Sequence, residues 1–343
     1  MLAAFTTAGG VEVGEVPEPV PGQGQVLVAP LSAGICGSDL HLVDALAGLG
    51  DQAPRIVLGH EFCAEILETG PGAAGRFAPG TRVVSVPHVL GAAGPVDLGL
   101  SPELPGGFAQ RAVMQESLLL RVPDGLPDDH AALTEPLAVA VHAVRAARPA
   151  PGDAALVIGC GPIGLAVIAA LKADGHGPVV AADFSPARRA LAERLGADVV
   201  LDPATSSPYE KWADLGVVER PPSPLLADDV PAGNVVAFEC VGAPGLIQQI
   251  IEGVPRHSRI VVVGVGIAPD TITPVSAILK EVSLTFVFAY RQAEFAHALD
   301  LLASGRVEAE SFVTGAVGLD GVAKAFADLH SPDEHVKIIV RPR

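Results

Sequence analysis

The chain has 343 residues, 49% hydrophobic and 18% charged, with a formal net charge of -17. That length exceeds what one ordinary core fills, so two domains are expected. The acidic balance is spread along the chain with no basic cluster, which argues against nucleic acid or an anionic membrane surface as a partner. No apolar run reaches the roughly 18 residues needed to span a bilayer.

The first 145 residues are rich in glycine, proline and short β-type runs, the pattern of a mostly β domain with many turns. The spacing predicts a helix over 130–147, ended by the Pro149-Ala150-Pro151-Gly152 run. Strand–helix alternation then begins. Apolar strand candidates lie at 154–158, 178–182, 198–201, 235–239, 259–264 and 283–288, with helices predicted at 164–173 and 185–196. Continuous apolar strands with crossover helices indicate a parallel sheet covered on both faces. The proline-rich stretch 221–231 reads as a surface excursion. A helix over 292–305 and a last strand over 335–340 follow, and this tail is expected to return to the first domain. The domains are therefore set at 1–147 with 289–343, and at 148–288. The four cysteines, Cys36, Cys63, Cys160 and Cys240, are widely spaced, and no signal-like N-terminus is present. They are expected to be reduced thiols of a cytoplasmic chain.

The strand at 154–158 runs into Gly159-Cys160-Gly161-Pro162-Ile163-Gly164 and then a helical run. In that context Gly159 permits the tight turn, Gly161 lets the backbone approach a pyrophosphate, and Gly164 lets helix and strand pack closely. The anion would sit on the helix N-terminus, beside Pro162 and Ile163. Asp183 follows Gly164 by 19 residues, at the end of the next strand. A carboxylate there accepts hydrogen bonds from ribose hydroxyls and repels a 2′-phosphate, which selects NAD over NADP. Arg188 is placed with the cofactor, as are Val241 and Val265, which follow the strands at 235–239 and 259–264. Arg189 is read as part of an exposed helix face.

The first half carries zinc-type ligands: Cys36 in GICGSDLH, His60 and Glu61 in GHE, and Glu135 in TEPLAVA. A thiolate, an imidazole and a carboxylate with one open position is how a catalytic zinc is held. With APGTRV at 78–83, GGFA at 106–109, the glycine run and HVKIIV at 335–340, the chain resembles the zinc-containing medium-chain dehydrogenase/reductase family of alcohol, sorbitol and threonine dehydrogenases. The resemblance spans almost the whole chain. It implies an α/β architecture: a GroES-like, mostly β catalytic domain and a Rossmann domain with a doubly wound parallel sheet.

By the same resemblance Cys36 and His60 are metal ligands, and the third is Glu61 or Glu135, bound directly or through water. Ser38 would take the alcohol proton, His41 would pass it to solvent, and Asp39 would orient His60, unless it serves as a helix cap. The expected reaction moves a hydride between an alcohol and NAD, giving a ketone or aldehyde. TEPLAVA, with glutamate in place of cysteine, points to a secondary alcohol such as a polyol, sugar or cyclitol, and the apolar residues of 88–107 point to a less polar one. Many members hold a second, structural zinc with four cysteines before GGFA. The stretch 88–107 here contains none, so one catalytic zinc per chain is expected. His142, Cys63 and Cys240 are read as packing residues. The family habit implies a homodimer or homotetramer. A zinc-free NADPH-dependent quinone or enone reductase lacks the Cys–His pair, and a non-catalytic NAD-binding protein has no use for Ser38 and His41.

Overall fold

Runs punctuated by glycine and proline pair into a seven-stranded sheet in one part of the chain, and continuous apolar runs form a six-stranded parallel sheet in the other. The computed structural model describes residues 1–91, 94–217, 235–331 and 333–343. Contacts divide them into a first unit, Met1–Glu135 with Phe295–Arg343, and a second, Pro136–Glu294. The stretch 221–231 lies outside the described residues. No described helix is long and apolar enough to cross a membrane.

In the first unit the strand Gln25–Gly34 is central, flanked by Glu61–Thr69 and Lys337–Arg341. Its residues Val26, Val28 and Ala33, with Ile35 just after it, join a core with Leu58, Phe62, Ile66, Phe108 and Ile338. Burial of these side chains, at about 1.5–3 kcal/mol for each larger one, is what fixes the strand register. That register sets Gly34 opposite Glu61 on one side and Ile339 on the other.

The second unit has the parallel strand order Val199–Leu201, Val179–Ala182, Ala154–Ile158, Val235–Glu239, Arg259–Val262, Ser283–Phe286. Every residue of Ala154–Ile158 and Val235–Glu239 is buried, which explains why these strands lack polar–apolar alternation. The order in which strands are added reverses between those two strands, and ligands of such sheets bind at the strand carboxyl ends there. The helix Pro162–Ala173 starts with proline at a position that needs no amide donor.

One predicted helix is two. Residues Asp128–Ala132 form one and Thr134–Ala147 the next. Pro136 has no amide to donate back to Ala132, and its ring crowds that carbonyl, so the turn cannot be continuous. The Thr134 hydroxyl instead donates to the Ala131 carbonyl at 2.7 Å. The unit boundary falls at Glu135, earlier than 147, because the end of this helix is tied to the second unit: Arg259 donates to the Arg148 carbonyl, and His142 meets Glu294 at 3.0 Å.

Candidate metal centre and cofactor turn

In the first unit, Cys36 stands at the N-terminal cap of the helix Gly37–Ala47. The Asp39 carboxylate accepts the Cys36 amide at 2.9 Å, and its other oxygen lies 3.4 Å from His60 Nδ1. Asp39 thus caps the helix and sets a carboxylate oxygen beside the imidazole. It leaves Nε2 as the nitrogen facing outward, 3.4 Å from the Ser38 hydroxyl. One metal-ligand atom from each of Cys36, His60 and Glu61 lies within 4.8 Å of the others. A tetrahedral zinc with bonds of about 2.0–2.3 Å sets its ligands roughly 3.3–3.8 Å apart, so the donor set and its spacing fit that ion. Burial alone would push the His60 imidazole down, but Asp39 and then Cys36 outweigh it and hold the ring well above its usual value.

Glu135, in the first turn of the helix Thr134–Ala147, does not join that cluster, though its charge acts on Lys337. His41 is exposed one turn beyond Ser38. Lys337 is the residue the sequence reading missed. It is buried, and its Nζ donates to both Glu61 oxygens at 2.8 and 2.7 Å and to the Ile35 carbonyl at 2.9 Å. Burial would lower its ammonium, but Glu61, with Cys36 and Glu135 behind it, more than offsets this and holds it above the ordinary lysine value. The pair reaches across the central strand at Gly34, where a Cβ would overlap the Glu61 carboxylate and meet Lys337 Cδ at 3.3 Å. One signal was available: a lysine set between buried residues of a final strand requires a buried acid.

In the second unit, Gly159 turns with φ 87°, a left-handed conformation that favours glycine. A side chain on Gly164 would overlap the Gly159 carbonyl, and one on Gly161 would meet only Arg188 Nη1, at 3.9 Å. The turn therefore presents open backbone under a guanidinium, with the helix N-terminus at Pro162 and Ile163 beneath it. Asp183 is buried; its oxygens accept the Cys160 amide at 2.7 Å and the Ser185 amide at 2.8 Å, with further lone pairs to spare. Val241 packs against Gly159, and Val265 against Gly242. Glu239, also missed from the sequence, accepts the Val241 and Gly242 amides at 2.7 Å each and so shapes this rim.

Three readings change. Arg189 does not simply line an exposed face; it folds back onto the Asp183 and Phe184 carbonyls and lies 3.2 Å from Asp202. His142 pairs with Glu294 and is more than a packing residue. Within 88–107, Val89 and Leu98 are core residues, so their apolar character says nothing about substrate. The hairpin His88–Gly91 with Gly94–Asp97 is held by a His88–Asp97 contact of 2.5 Å. All four cysteines are free; Cys63 is buried and Cys240 partly so.

The (R,R)-butanediol dehydrogenase of Bacillus subtilis (strain 168) is 34% identical over 351 residues, covering 97% of this chain and 96% of its own. The chain belongs to the zinc-type medium-chain dehydrogenase/reductase family. Residues 22–124 match the alcohol dehydrogenase GroES-like domain and 162–304 the zinc-binding dehydrogenase domain. The sorbitol dehydrogenase of Ovis aries is 31% identical, with 93% of this chain and 90% of that one covered. The crystal structure of 2R,3R-butanediol dehydrogenase from Bacillus subtilis superposes with a TM-score of 0.84 at 32% identity, over 100% of this chain and 99% of that one. The chain is accordingly an α/β oxidoreductase with a GroES-like domain and a Rossmann sheet.

Proposed function

We propose that this dehydrogenase interconverts a secondary alcohol, of the vicinal diol or polyol class, and its ketone, with NAD as hydride carrier. The observation that carries this is the Cys36–His60–Glu61 cluster beside the Ser38 hydroxyl. A zinc ion there, one per chain, would polarise the alcohol oxygen as a Lewis acid. The protein's own groups do the rest. Asp39 sets a carboxylate beside His60 Nδ1, and Lys337 balances the Glu61 charge. Ser38 accepts the hydroxyl proton, and His41, exposed one helical turn on, releases it to solvent. We assign direct ligation to Glu61, since Glu135 stands outside the cluster.

Preference for NAD rests on the Asp183 carboxylate at the strand end, and Arg188 over the glycine turn suits a pyrophosphate. The polyol assignment rests on the relatives' names. Four free cysteines suit a reducing cytoplasm. The exposed apolar side chains Ile278, Leu279 and Phe286 make a surface that a second copy would cover in a homodimer or homotetramer.

The test is elemental analysis of zinc on the purified chain, followed by NADH formation with (R,R)-2,3-butanediol, sorbitol and 2-propanol, each repeated with NADP. One zinc per chain and faster turnover of the diols are expected. A chain that takes up no supplied zinc and turns over none of these alcohols would overturn the reading.

A further inference from the structure

The second unit holds a cavity of about 710 Å³ whose walls gather Arg145, Arg148, Arg259 and Arg291 with His142 and Glu294. Four guanidiniums around one space stand out in a chain of net charge -17.

The acids there are already engaged. Glu294 is buried; it meets His142 at 3.0 Å, accepts the Arg291 amide at 2.7 Å and has Arg145 3.9 Å away. Asp153, also buried, is paired with Arg259, which donates as well to the Arg148 carbonyl. The guanidiniums of Arg148 and Arg291 have no ion-pair partner among the described residues, and both residues are exposed. Arg148 adopts a left-handed backbone, φ 48°, at the helix end. A non-glycine residue is held in that conformation only where its surroundings fix it, here through the amide–carbonyl bond to Arg145 and the Arg259 guanidinium. Ser283 and Thr285 line the same space.

Position separates this cavity from the cofactor. Arg259 and Ser283 begin their strands, whereas the glycine turn and Val241 follow strand carboxyl ends of the same parallel sheet. The cavity opens at the opposite edge.

We infer that this cavity binds a phosphate group. Two unpaired guanidiniums on separate elements supply charge and forked donors, and the two hydroxyls supply the short donors that a tetrahedral oxyanion takes on its remaining oxygens. A free phosphate and one carried on a small molecule present the same chemistry to this site.

The test is calorimetric titration of the full chain with inorganic phosphate and with glycerol 3-phosphate, against sodium chloride at matched ionic strength. The comparison is an Arg148→Gln/Arg291→Gln double variant, which alters exposed side chains only. We expect saturable binding of at least one probe at about 1 mM or tighter, weakened roughly tenfold or more by the double variant. Tighter binding of glycerol 3-phosphate assigns an organic phosphate, and equal binding assigns the phosphate alone. Each single variant should show part of the loss, which covers the case of a poorly folded double variant. Absence of saturable binding to the wild type overturns the inference. So does equal binding by a folded double variant, since the anion would then sit elsewhere.

Discussion

Replacing Lys337 by methionine tests the metal centre most sharply. The change keeps the length and apolar stem but leaves the Glu61 carboxylate buried without its counter-ion. Removing one partner of a buried ion pair costs about 3–5 kcal/mol. For a unit of this size each kcal/mol moves the melting midpoint by roughly 2–4 °C, so metal-free Lys337→Met should melt roughly 6–20 °C early. Zinc offers Glu61 another cation, so the variant should gain more from added zinc than the wild type does. The double variant Lys337→Met/Glu61→Leu removes both charges, and its midpoint should return most of the way, because an apolar pair in place of a buried ion pair is often neutral. Thermal melts of the three proteins with and without zinc decide the matter. A Lys337→Met midpoint equal to the wild type without metal would refute the reasoning. The sign with pH is also set. Glu61 raises the lysine value, so the stability linked to the lysine proton is present below about pH 10 and disappears as pH climbs through the folded value.

Asp39→Asn should leave the fold intact and weaken zinc binding roughly 10- to 100-fold, read by competition with a chelator; unchanged affinity would remove Asp39 from the site. Asp183→Ala should weaken NADH binding roughly 10- to 150-fold and narrow the preference over NADPH, measured by fluorescence titration; an unchanged ratio would show that another residue reads the ribose. Burial, then Asp183, pushes the Cys160 thiol up to about 12, and burial likewise raises Cys63 and Cys240. At pH 8 only about one Cys160 in ten thousand is a thiolate. Iodoacetamide followed by peptide mass spectrometry should therefore label the half-exposed Cys36 first, with zinc protecting it. Labelling of Cys160 at a matching rate would contradict this.

What was legible in the sequence was local. The glycine turn, its strand and the carboxylate 19 residues on are set by backbone geometry within one βαβ unit, so Gly159, Gly164 and Asp183 declare themselves by spacing. The strands Ala154–Ile158 and Val235–Glu239 read as continuous apolar runs because both faces are covered. The break at Leu133 was hidden by an unbroken helical period, and the amide that Pro136 lacks overrode that period. The ion pair of Lys337 with Glu61 joins residues 276 apart, and no periodicity reports such a partner. Val89 and Leu98 misled for a related reason: apolarity marks burial, and only the fold says whether a substrate or the core is on the other side.

The crossing at Gly34 also orders events during synthesis. Cys36, His60 and Glu61 leave the ribosome early, but the counter-ion of Glu61 follows 276 residues later, after the entire second unit. At about 5–20 residues per second the acid waits roughly 15–55 s for its lysine. Through that interval the strand Gln25–Gly34 also lacks its neighbour Lys337–Arg341, so the metal centre reaches its final form only after the second unit has been made.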